Sequence, residues 1–130
     1  MANKLPTVII VDDNAITRTL LRGIIRAEEF DVIGEASLGA QGLAMAEQLR
    51  PDIACLDIEM PDMNGLDILR ELKAKQPQIA VVMITAHSER ENIQGALDNG
   101  AGGYVVKPFN TAKVAEALHR ALARVKNARS

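Results

Sequence analysis

The stretch IACLDIEMPDMNG, residues 53–65, ends a short apolar run abruptly in the carboxylate of Asp57. A loop containing Met60 and Pro61 follows, and Gly65 leads into a new helical pattern. In parallel α/β sheets, functional groups lie beyond the carboxyl ends of the strands. The stretch therefore predicts that Asp57 lies at the edge of a parallel sheet, where the ends of other strands contribute further groups.

Length and composition narrow the class of protein. The 130 residues suit one compact domain, so we expect a single domain over 1–130 with a core from about 5 to 125. A net charge of −2 and only three aromatic side chains argue against nucleic-acid or membrane binding. One cysteine excludes an internal disulfide, and no apolar run approaches the ~18 residues of a membrane span. Because no leader pattern opens the chain either, we expect a cytoplasmic protein.

Five short apolar runs alternate with five amphipathic patterns along the chain. The runs predict strands at 7–11, 30–36, 53–56, 79–84 and 103–106. Helices are predicted after Asn14, over 38–49, after Gly65, from Ser88 to Asn99, and from Asn110 or Thr111 to Val125. This alternation without a linker predicts an α/β domain, with a parallel sheet covered by helices on both faces.

The helical patterns also predict details of packing and capping. The buried face of the first helix is predicted to carry Ile16, Leu20, Leu21, Ile24 and Ile25, and that of the second Leu43, Ala46 and Leu49. Ser88 and Glu91 have the spacing of a capping box. Residues from Lys126 onwards are predicted to fray.

Polar side chains follow four of the predicted strands. The first exits at Asp12 and Asp13, the third at Asp57, the fourth at Thr85 and the fifth at Lys107. Three neighbouring carboxylates repel one another, and a divalent cation such as Mg²⁺ relieves this because it prefers oxygen ligands. Each residue alone has an ordinary explanation as a cap or a turn, but their joint position at one edge favours phosphoryl-transfer chemistry.

These residues resemble the receiver domain of bacterial two-component response regulators over roughly residues 5–125. The resemblance rests on five motifs, namely Asp12-Asp13, Asp57 with Met60-Pro61, Gly65, Thr85-Ala86 and Lys107-Pro108. It implies a three-layer, flavodoxin-like doubly wound (βα)5 fold with a five-stranded parallel sheet in the order 2-1-3-4-5. The resemblance is to chemotaxis-type regulators, and a cis peptide bond is expected between Lys107 and Pro108.

The resemblance also implies roles for the residues at the edge. Asp57 is expected to accept a phosphoryl group from a sensor histidine kinase or a histidine phosphotransfer protein. Mg²⁺, with Mn²⁺ as a substitute, is expected to be held by Asp13, Asp57 and the Glu59 carbonyl directly and by Asp12 through water. Lys107 is expected to contact the phosphoryl group.

The remaining implied roles concern the switch and its output. Thr85 and Tyr104 are expected to move together on phosphorylation, while Glu59 and His87 tune the phosphoryl lifetime. The altered surface, formed by the fourth helix, fifth strand and fifth helix, is expected to bind a downstream protein. Such a domain catalyses its own phosphorylation and dephosphorylation and is not a conventional turnover enzyme.

Three alternatives remain open from the sequence. The domain passes the phosphoryl group onward in a phosphorelay, or it is an aspartyl-nucleophile phosphatase, or it is an interaction module without chemistry. Glu59 stands where the phosphatase pattern has a second aspartate, which counts against the phosphatase. The intact set of Asp13, Asp57, Thr85 and Lys107 counts against the inert module.

Overall fold

A computed structural model describes residues 4–129, and the side chains of residues 4–125. Strands and helices alternate strictly along the chain. The strands are β1 (Thr7–Val11), β2 (Asp31–Ala36), β3 (Ile53–Leu56), β4 (Ala80–Thr85) and β5 (Gly103–Val106). The helices are α1 (Ala15–Ala27), α2 (Gly39–Leu49), α3 (Gly65–Lys75), α4 (Arg90–Asp98) and α5 (Thr111–Arg129).

The five strands form one parallel sheet in the order β2-β1-β3-β4-β5. The order reverses between β1 and β3, and this reversal is the point where doubly wound sheets bind ligands. The predicted flavodoxin-like topology is therefore confirmed. The expectation that the second strand lies at an edge is also confirmed, since β2 pairs only with β1 within the described residues.

Alternate strand residues point into two separate cores, which makes three layers. One core joins Ile9, Val11, Leu56 and Met83 to side chains of α2, α3 and α4. The other joins the intervening strand residues to α1 and α5. Both faces of β3 and β4 are fully buried, as expected for central strands of a sheet with helices on both sides.

The predicted apolar face of α1 is partly wrong. Leu21 and Ile25 are buried, but the side chains of Ile16 and Leu20 are 73% and 55% exposed. At 3.6 residues per turn, Ile16 and Leu20 lie about 180° and about 140° around the helix axis from Ile25. The predicted stripe was therefore wider than the contact that α1 makes with the sheet.

The second helix packs through small residues rather than through the predicted leucines. Gly39, Gly42 and Ala46 are buried, whereas Leu43 is half-buried and Leu49 is 42% exposed. A Cβ on Gly42 would come within 2.8 Å of the Val11 side chain. The helix thus lies too close to β1 for large side chains at the interface.

The structure corrects or refines the predicted ends of α4 and α5. The N-cap of α4 is Glu89 rather than Ser88, which puts Glu91 at the second helical position and excludes the capping box. Asn110 caps α5 by accepting a hydrogen bond from the Lys113 backbone at 2.8 Å. The tail predicted to fray is helical up to Arg129, while Ser130 lies outside the described residues.

Candidate functional site

Backbone pairing places the candidate residues at one edge of the sheet. The amide of Asp12 donates to the carbonyl of Ala36, that of Asp57 to Val11, and that of Lys107 to Thr85. Each hydrogen bond continues a strand pairing by one step. The carboxylates and the lysine are therefore fixed relative to one another by the sheet itself.

One ammonium group joins two carboxylates across the reversal point. The Lys107 Nζ lies 2.9 Å from Asp12 Oδ2 and 2.9 Å from Asp57 Oδ2. Asp12 and Asp57 are 2% and 6% exposed. Charge-assisted hydrogen bonds of this length are stronger than neutral ones, especially away from bulk water.

Asp13 completes a cluster of three acids. One carboxylate oxygen from each of Asp12, Asp13 and Asp57 lies within 4.8 Å of the others, and Asp13 is the exposed member. Only oxygen atoms face this space from the three acids, which is the donor set that Mg²⁺ prefers. The residues present therefore fit a hard divalent cation, and the exposed Asp13 leaves a side open to solvent.

Burial and hydrogen bonding shift the pKa values of Asp12 and Lys107 in opposite directions. Burial raises the pKa of Asp12 above its usual range, and the hydrogen bond from Lys107 only partly offsets this. Burial alone would lower the pKa of Lys107, but hydrogen bonds to Asp57 and Asp12 outweigh it and raise that pKa. The charged form of Asp12 is therefore disfavoured in the metal-free site, while the charged form of Lys107 is favoured.

The loop after β3 closes tightly beneath Asp57. The Gly65 amide donates to the Ile58 carbonyl at 2.6 Å. A Cβ on Gly65 would overlap the Asp57 carbonyl and the Ile58 Cα, so this position requires glycine. Asn64 then begins α3 by accepting a hydrogen bond from the Leu66 amide at 2.8 Å.

The fourth and fifth strands bring Thr85 and Tyr104 to the main chain of the same residue, His87. The fully buried Thr85 hydroxyl accepts a hydrogen bond from the His87 amide at 3.3 Å. The Tyr104 hydroxyl donates to the His87 carbonyl at 2.7 Å. The main chain of His87 is thus a direct link between the threonine at the site and the tyrosine on β5.

The side chains of Glu59 and His87 also meet at the mouth of the site. His87 Nε2 lies 3.7 Å from Glu59 Oε2, and its Nδ1 lies 3.4 Å from Glu89 Oε2. The Glu59 amide donates to Asp57 Oδ1 at 3.1 Å, whereas its carboxylate points to solvent and is 78% exposed. Glu59 therefore contributes its backbone to the inner site and its side chain to the entrance.

Three further features are the Lys107–Pro108 peptide bond, the Cys55 thiol and the apolar character of the helices. The Lys107–Pro108 peptide bond is cis, as the resemblance implied. Cys55 is buried in the core, and burial raises the pKa of its thiol to about 12, which makes it unreactive. Among the helices of residues 4–129, none combines the length and apolar composition that crossing a bilayer requires.

Sequence reasoning missed two residues that support the site. The Asp62 carboxylate accepts hydrogen bonds from the Gly39 and Ala40 amides at 2.7 and 3.0 Å, and these bonds lower its pKa. It ties the loop after Asp57 to the start of α2. The signal was indirect, because Leu38 has no side chain able to cap that helix. The second missed residue is Arg18, which donates to the Asp12 carbonyl.

The raised pKa of Asp12 predicts that the free energies of unfolding of the wild type and Asp12→Asn differ by an amount that depends on pH. Between the unfolded pKa and the raised folded pKa, the folded wild type binds more protons than the unfolded chain. Asp12 thus contributes stability at low pH that is lost as pH rises through its folded pKa. We expect the unfolding free energy of wild type minus that of Asp12→Asn to fall as pH rises above about 4 without metal.

Urea denaturation at several pH values measures this difference. Saturating Mg²⁺ is expected to flatten the curve, because a bound cation favours the Asp12 carboxylate. A metal-free difference that stays constant or rises with pH would contradict a carboxylate that is disfavoured by burial.

A doubly wound sheet that joins three acids and an ammonium group at the carboxyl ends of its strands has the groups of a phosphoryl-transfer site. Comparison with known proteins agrees. A family model described as the response regulator receiver domain matches residues 8–119. The chain is 37% identical over 113 residues to the chemotaxis protein CheY of Listeria monocytogenes, covering 87% of this chain and 95% of that protein.

Further relatives show the same domain in longer proteins and in solved structures. Identity is 38% over 125 residues to the nitrate/nitrite response regulator protein NarL of Escherichia coli, covering 95% of this chain but 58% of NarL. A CheY-like receiver domain protein from Methanospirillum hungatei superposes with a TM-score of 0.88 at 28% identity, covering 96% and 99% of the two chains. The CheX–CheY–BeF3–Mg²⁺ complex of Borrelia burgdorferi gives a TM-score of 0.83 at 32% identity, covering 86% and 85%.

The chain belongs to the response regulator receiver domain family. It is CheY-like, and such domains are phosphorylation-dependent signalling switches of two-component systems. Receiver domains bind Mg²⁺ at an acidic pocket and interact with histidine kinases and downstream targets.

Proposed function

We propose that Asp57 of this chain accepts a phosphoryl group from a phosphohistidine, in a site completed by Mg²⁺. The observation that carries the proposal is the position of Lys107 Nζ, 2.9 Å from both Asp12 and Asp57, beside three acids within 4.8 Å of one another. Asp13 and Asp57 would hold Mg²⁺ directly with the Glu59 carbonyl, and Asp12 would act through water. When bound, the cation neutralises negative charge on the transferring group.

The chain's own residues then have separable tasks in the transfer. One Asp57 oxygen forms the new P–O bond while the P–N bond of the phosphohistidine breaks, and the bonding pair returns to the imidazole nitrogen. Lys107 exchanges its contact with Asp57 for one with a phosphoryl oxygen, and this fixed positive charge offsets the developing charge. Thr85 turns its hydroxyl from the His87 amide to donate to a second phosphoryl oxygen.

Glu59 and His87 are placed to control how long the phosphoryl group persists. Their side chains lie 3.7 Å apart across the entrance to Asp57. Because the Glu59 amide donates to Asp57 Oδ1 at 3.1 Å, the pair lies beside the acceptor, on one path that water would take to the acyl phosphate. We therefore propose that the two side chains tune the dephosphorylation rate by ordering or blocking that water.

The effect of phosphorylation would reach the surface through the main chain of His87. Loss of the Thr85 contact frees the His87 amide, and the Tyr104 hydroxyl already holds the carbonyl of the same residue. Movement of Tyr104 then alters the face formed by α4, β5 and α5. This face carries an open groove of about 590 Å³, bordered by the exposed side chains of Leu97 and Val106, which suits a protein partner.

The CheY relatives support chemotaxis as the pathway, and we propose a cytoplasmic location for this chain. The output partner would then be a protein bound by the α4–β5–α5 face, and the donor a sensor histidine kinase or a histidine phosphotransfer protein. A phosphorelay role would use the same acceptor and return the phosphoryl group to a second histidine.

Mass spectrometry with acetyl phosphate tests the proposed chemistry. We expect incorporation of one phosphoryl group when Mg²⁺ or Mn²⁺ is present and none in EDTA, with the modified peptide containing Asp57. Incorporation that is unaffected by EDTA, or a modified peptide from another part of the chain, would overturn the proposal.

Phosphorylation is also expected to change the conformation of the face formed by α4, β5 and α5. With Mg²⁺ and beryllofluoride, backbone amide chemical shifts in α4, β5 and α5 should change in the wild type. Tyr104→Phe, which loses the bond to the His87 carbonyl, should still bind beryllofluoride but show smaller changes at β5. Equal chemical-shift changes in both proteins would mean that Tyr104 does not couple the phosphorylation site to this face.

A further inference from the structure

We propose that Arg18 is a positioning residue for the metal site, and the inference rests on the proposed function of Asp57. Arg18 lies on α1 and its side chain is 20% exposed. Its Nη1 donates to the backbone carbonyl of Asp12 at 2.7 Å. The guanidinium therefore contacts the peptide unit that links Asp12 to Asp13, the two acids contributed by β1.

This peptide plane sets the direction of the Asp13 side chain. The sheet fixes the Asp12 amide through Ala36 at 3.0 Å, and Asp12 Oδ1 accepts from the Asn14 amide at 2.8 Å. Neither contact holds the Asp12 carbonyl, which is the acceptor for Arg18. Because Asp13 is the exposed member of the acid cluster, rotation of this peptide would swing its carboxylate away from the other two.

Glu35 on β2 anchors the arginine from the opposite side. Glu35 Oε1 lies 3.5 Å from Arg18 Nε, and Arg22 makes a bidentate contact with the same carboxylate at 2.5 and 3.0 Å. Arg18 and Glu35 form a brace that runs from the edge strand over α1 to the metal-binding turn, whereas Arg22 contacts only the Glu35 end of it. Arg18 alone of these three donates to Asp12, so the chain provides a matched control in Arg22.

Charge alone predicts the opposite effect from positioning. Removing a cation near three acids would by itself favour binding of Mg²⁺. If Arg18 positions the turn, its loss weakens Mg²⁺ binding instead, in the way that loss of residues supporting metal ligands weakens affinity by about 10- to 100-fold. The sign of the change therefore separates the two explanations.

Isothermal titration of the metal-free, 130-residue protein with MgCl₂ tests the proposal. We expect Arg18→Gln to raise the Kd for Mg²⁺ by roughly 10-fold. Arg22→Gln should leave the Kd unchanged or slightly lower, and Arg18→Lys should recover part of the affinity because a single donor remains. Thermal unfolding of each variant establishes that it is folded at the titration temperature.

A second readout does not require metal. The Asp13 amide resonance of the metal-free protein should shift in Arg18→Gln and not in Arg22→Gln, because only Arg18 touches the preceding carbonyl. If Arg18→Gln is too unstable to titrate, this comparison is made in Arg18→Lys, where a smaller shift of the same resonance is expected.

The outcomes for the two proposals are distinguishable. Wild type that fails to bind Mg²⁺ contradicts the proposed function. Wild type that binds Mg²⁺ with the same Kd as Arg18→Gln contradicts the positioning role alone. An equal loss of affinity in Arg18→Gln and Arg22→Gln also contradicts it, because it would assign the effect to general destabilisation of α1.

Discussion

Asp57→Asn is expected to abolish phosphoryl incorporation from acetyl phosphate while the protein stays folded. The amide has nearly the same shape, and its single oxygen can still accept the hydrogen bond from the Glu59 amide, which lies 3.1 Å from Asp57 Oδ1. The contact of Lys107 with Asp57 Oδ2 is lost, but Lys107 keeps its 2.9 Å contact with Asp12. The asparagine side chain lacks an anionic oxygen to attack phosphorus. The substitution also removes one of three mutually repelling carboxylates, so unfolding should not require less denaturant.

Asp13→Asn provides the matched control, since it removes an exposed acid of the same cluster but not the acceptor. Its incorporation is expected to be slow at low Mg²⁺ and to recover as the concentration rises. Incorporation should be followed by intact-protein mass spectrometry over time. If Asp57→Asn took up a phosphoryl group at the wild-type rate, another side chain would be the acceptor.

Lys107→Met is expected to lower the unfolding free energy of the metal-free protein by roughly 2–4 kcal/mol at neutral pH. The variant leaves Asp12 and Asp57 buried together without their shared cation. Breaking a fully buried ion pair costs about 3–5 kcal/mol. We expect a smaller loss here because the lysine side chain is 21% exposed. Protonation of Asp12, whose pKa is already raised, will absorb part of the loss as pH falls.

Mg²⁺ should rescue Lys107→Met more than it stabilises the wild type. The cation binds the folded state and supplies the positive charge that the variant lacks. The measurement is urea denaturation with and without Mg²⁺, with Lys75→Met as the control because Lys75 is exposed at the end of α3. Equal Mg²⁺ stabilisation in Lys107→Met and wild type would mean that Lys107 and the metal do not share the site.

Rescue of stability is not expected to restore chemistry in Lys107→Met. Loss of one preorganised donor to a developing negative charge typically slows a reaction by about 10²–10³-fold. Incorporation from acetyl phosphate should fall to that extent even at Mg²⁺ concentrations that restore the fold. This separates the structural role of Lys107 in the resting site from its role in transfer.

The sheet was predictable because each strand has a strong local signal. The runs ending at Val11, Leu56 and Ile84 are apolar apart from Thr7, as buried parallel strands require, and each is followed by a polar residue at its exit. The topology then follows from alternation of strands and helices, and it places Asp12, Asp57 and Lys107 at one edge. The ion-pair geometry is a consequence of strand order rather than of any local motif.

The errors in the buried faces have two causes. Ile16 lies about 180° around α1 from Ile25, so the predicted stripe was too wide, whereas Leu49 is exposed because α2 approaches β1 through Gly42 and other small residues. Sequence alone does not give the distance between a helix and a strand, so it overestimates the width of a buried face.

The supporting contacts of the site were missed for a different reason. Arg18 binds the backbone of Asp12, 6 residues away, and Asp62 binds that of Gly39, 23 residues away. Backbone contacts of this kind leave no spacing pattern in the sequence. An arginine on a half-exposed helix face resembles any solvated residue. These residues become visible only when the fold brings the carbonyl or amide within reach.

A crystal structure of the protein with Mg²⁺ and beryllofluoride tests the central claim most directly. We expect beryllium bonded to an Asp57 carboxylate oxygen, fluorine atoms within hydrogen-bonding distance of Lys107 Nζ and Thr85 Oγ1, and the cation beside Asp13. Beryllofluoride bound elsewhere, or at Asp57 without contact to Lys107 and with the cation away from the acid cluster, would contradict the account.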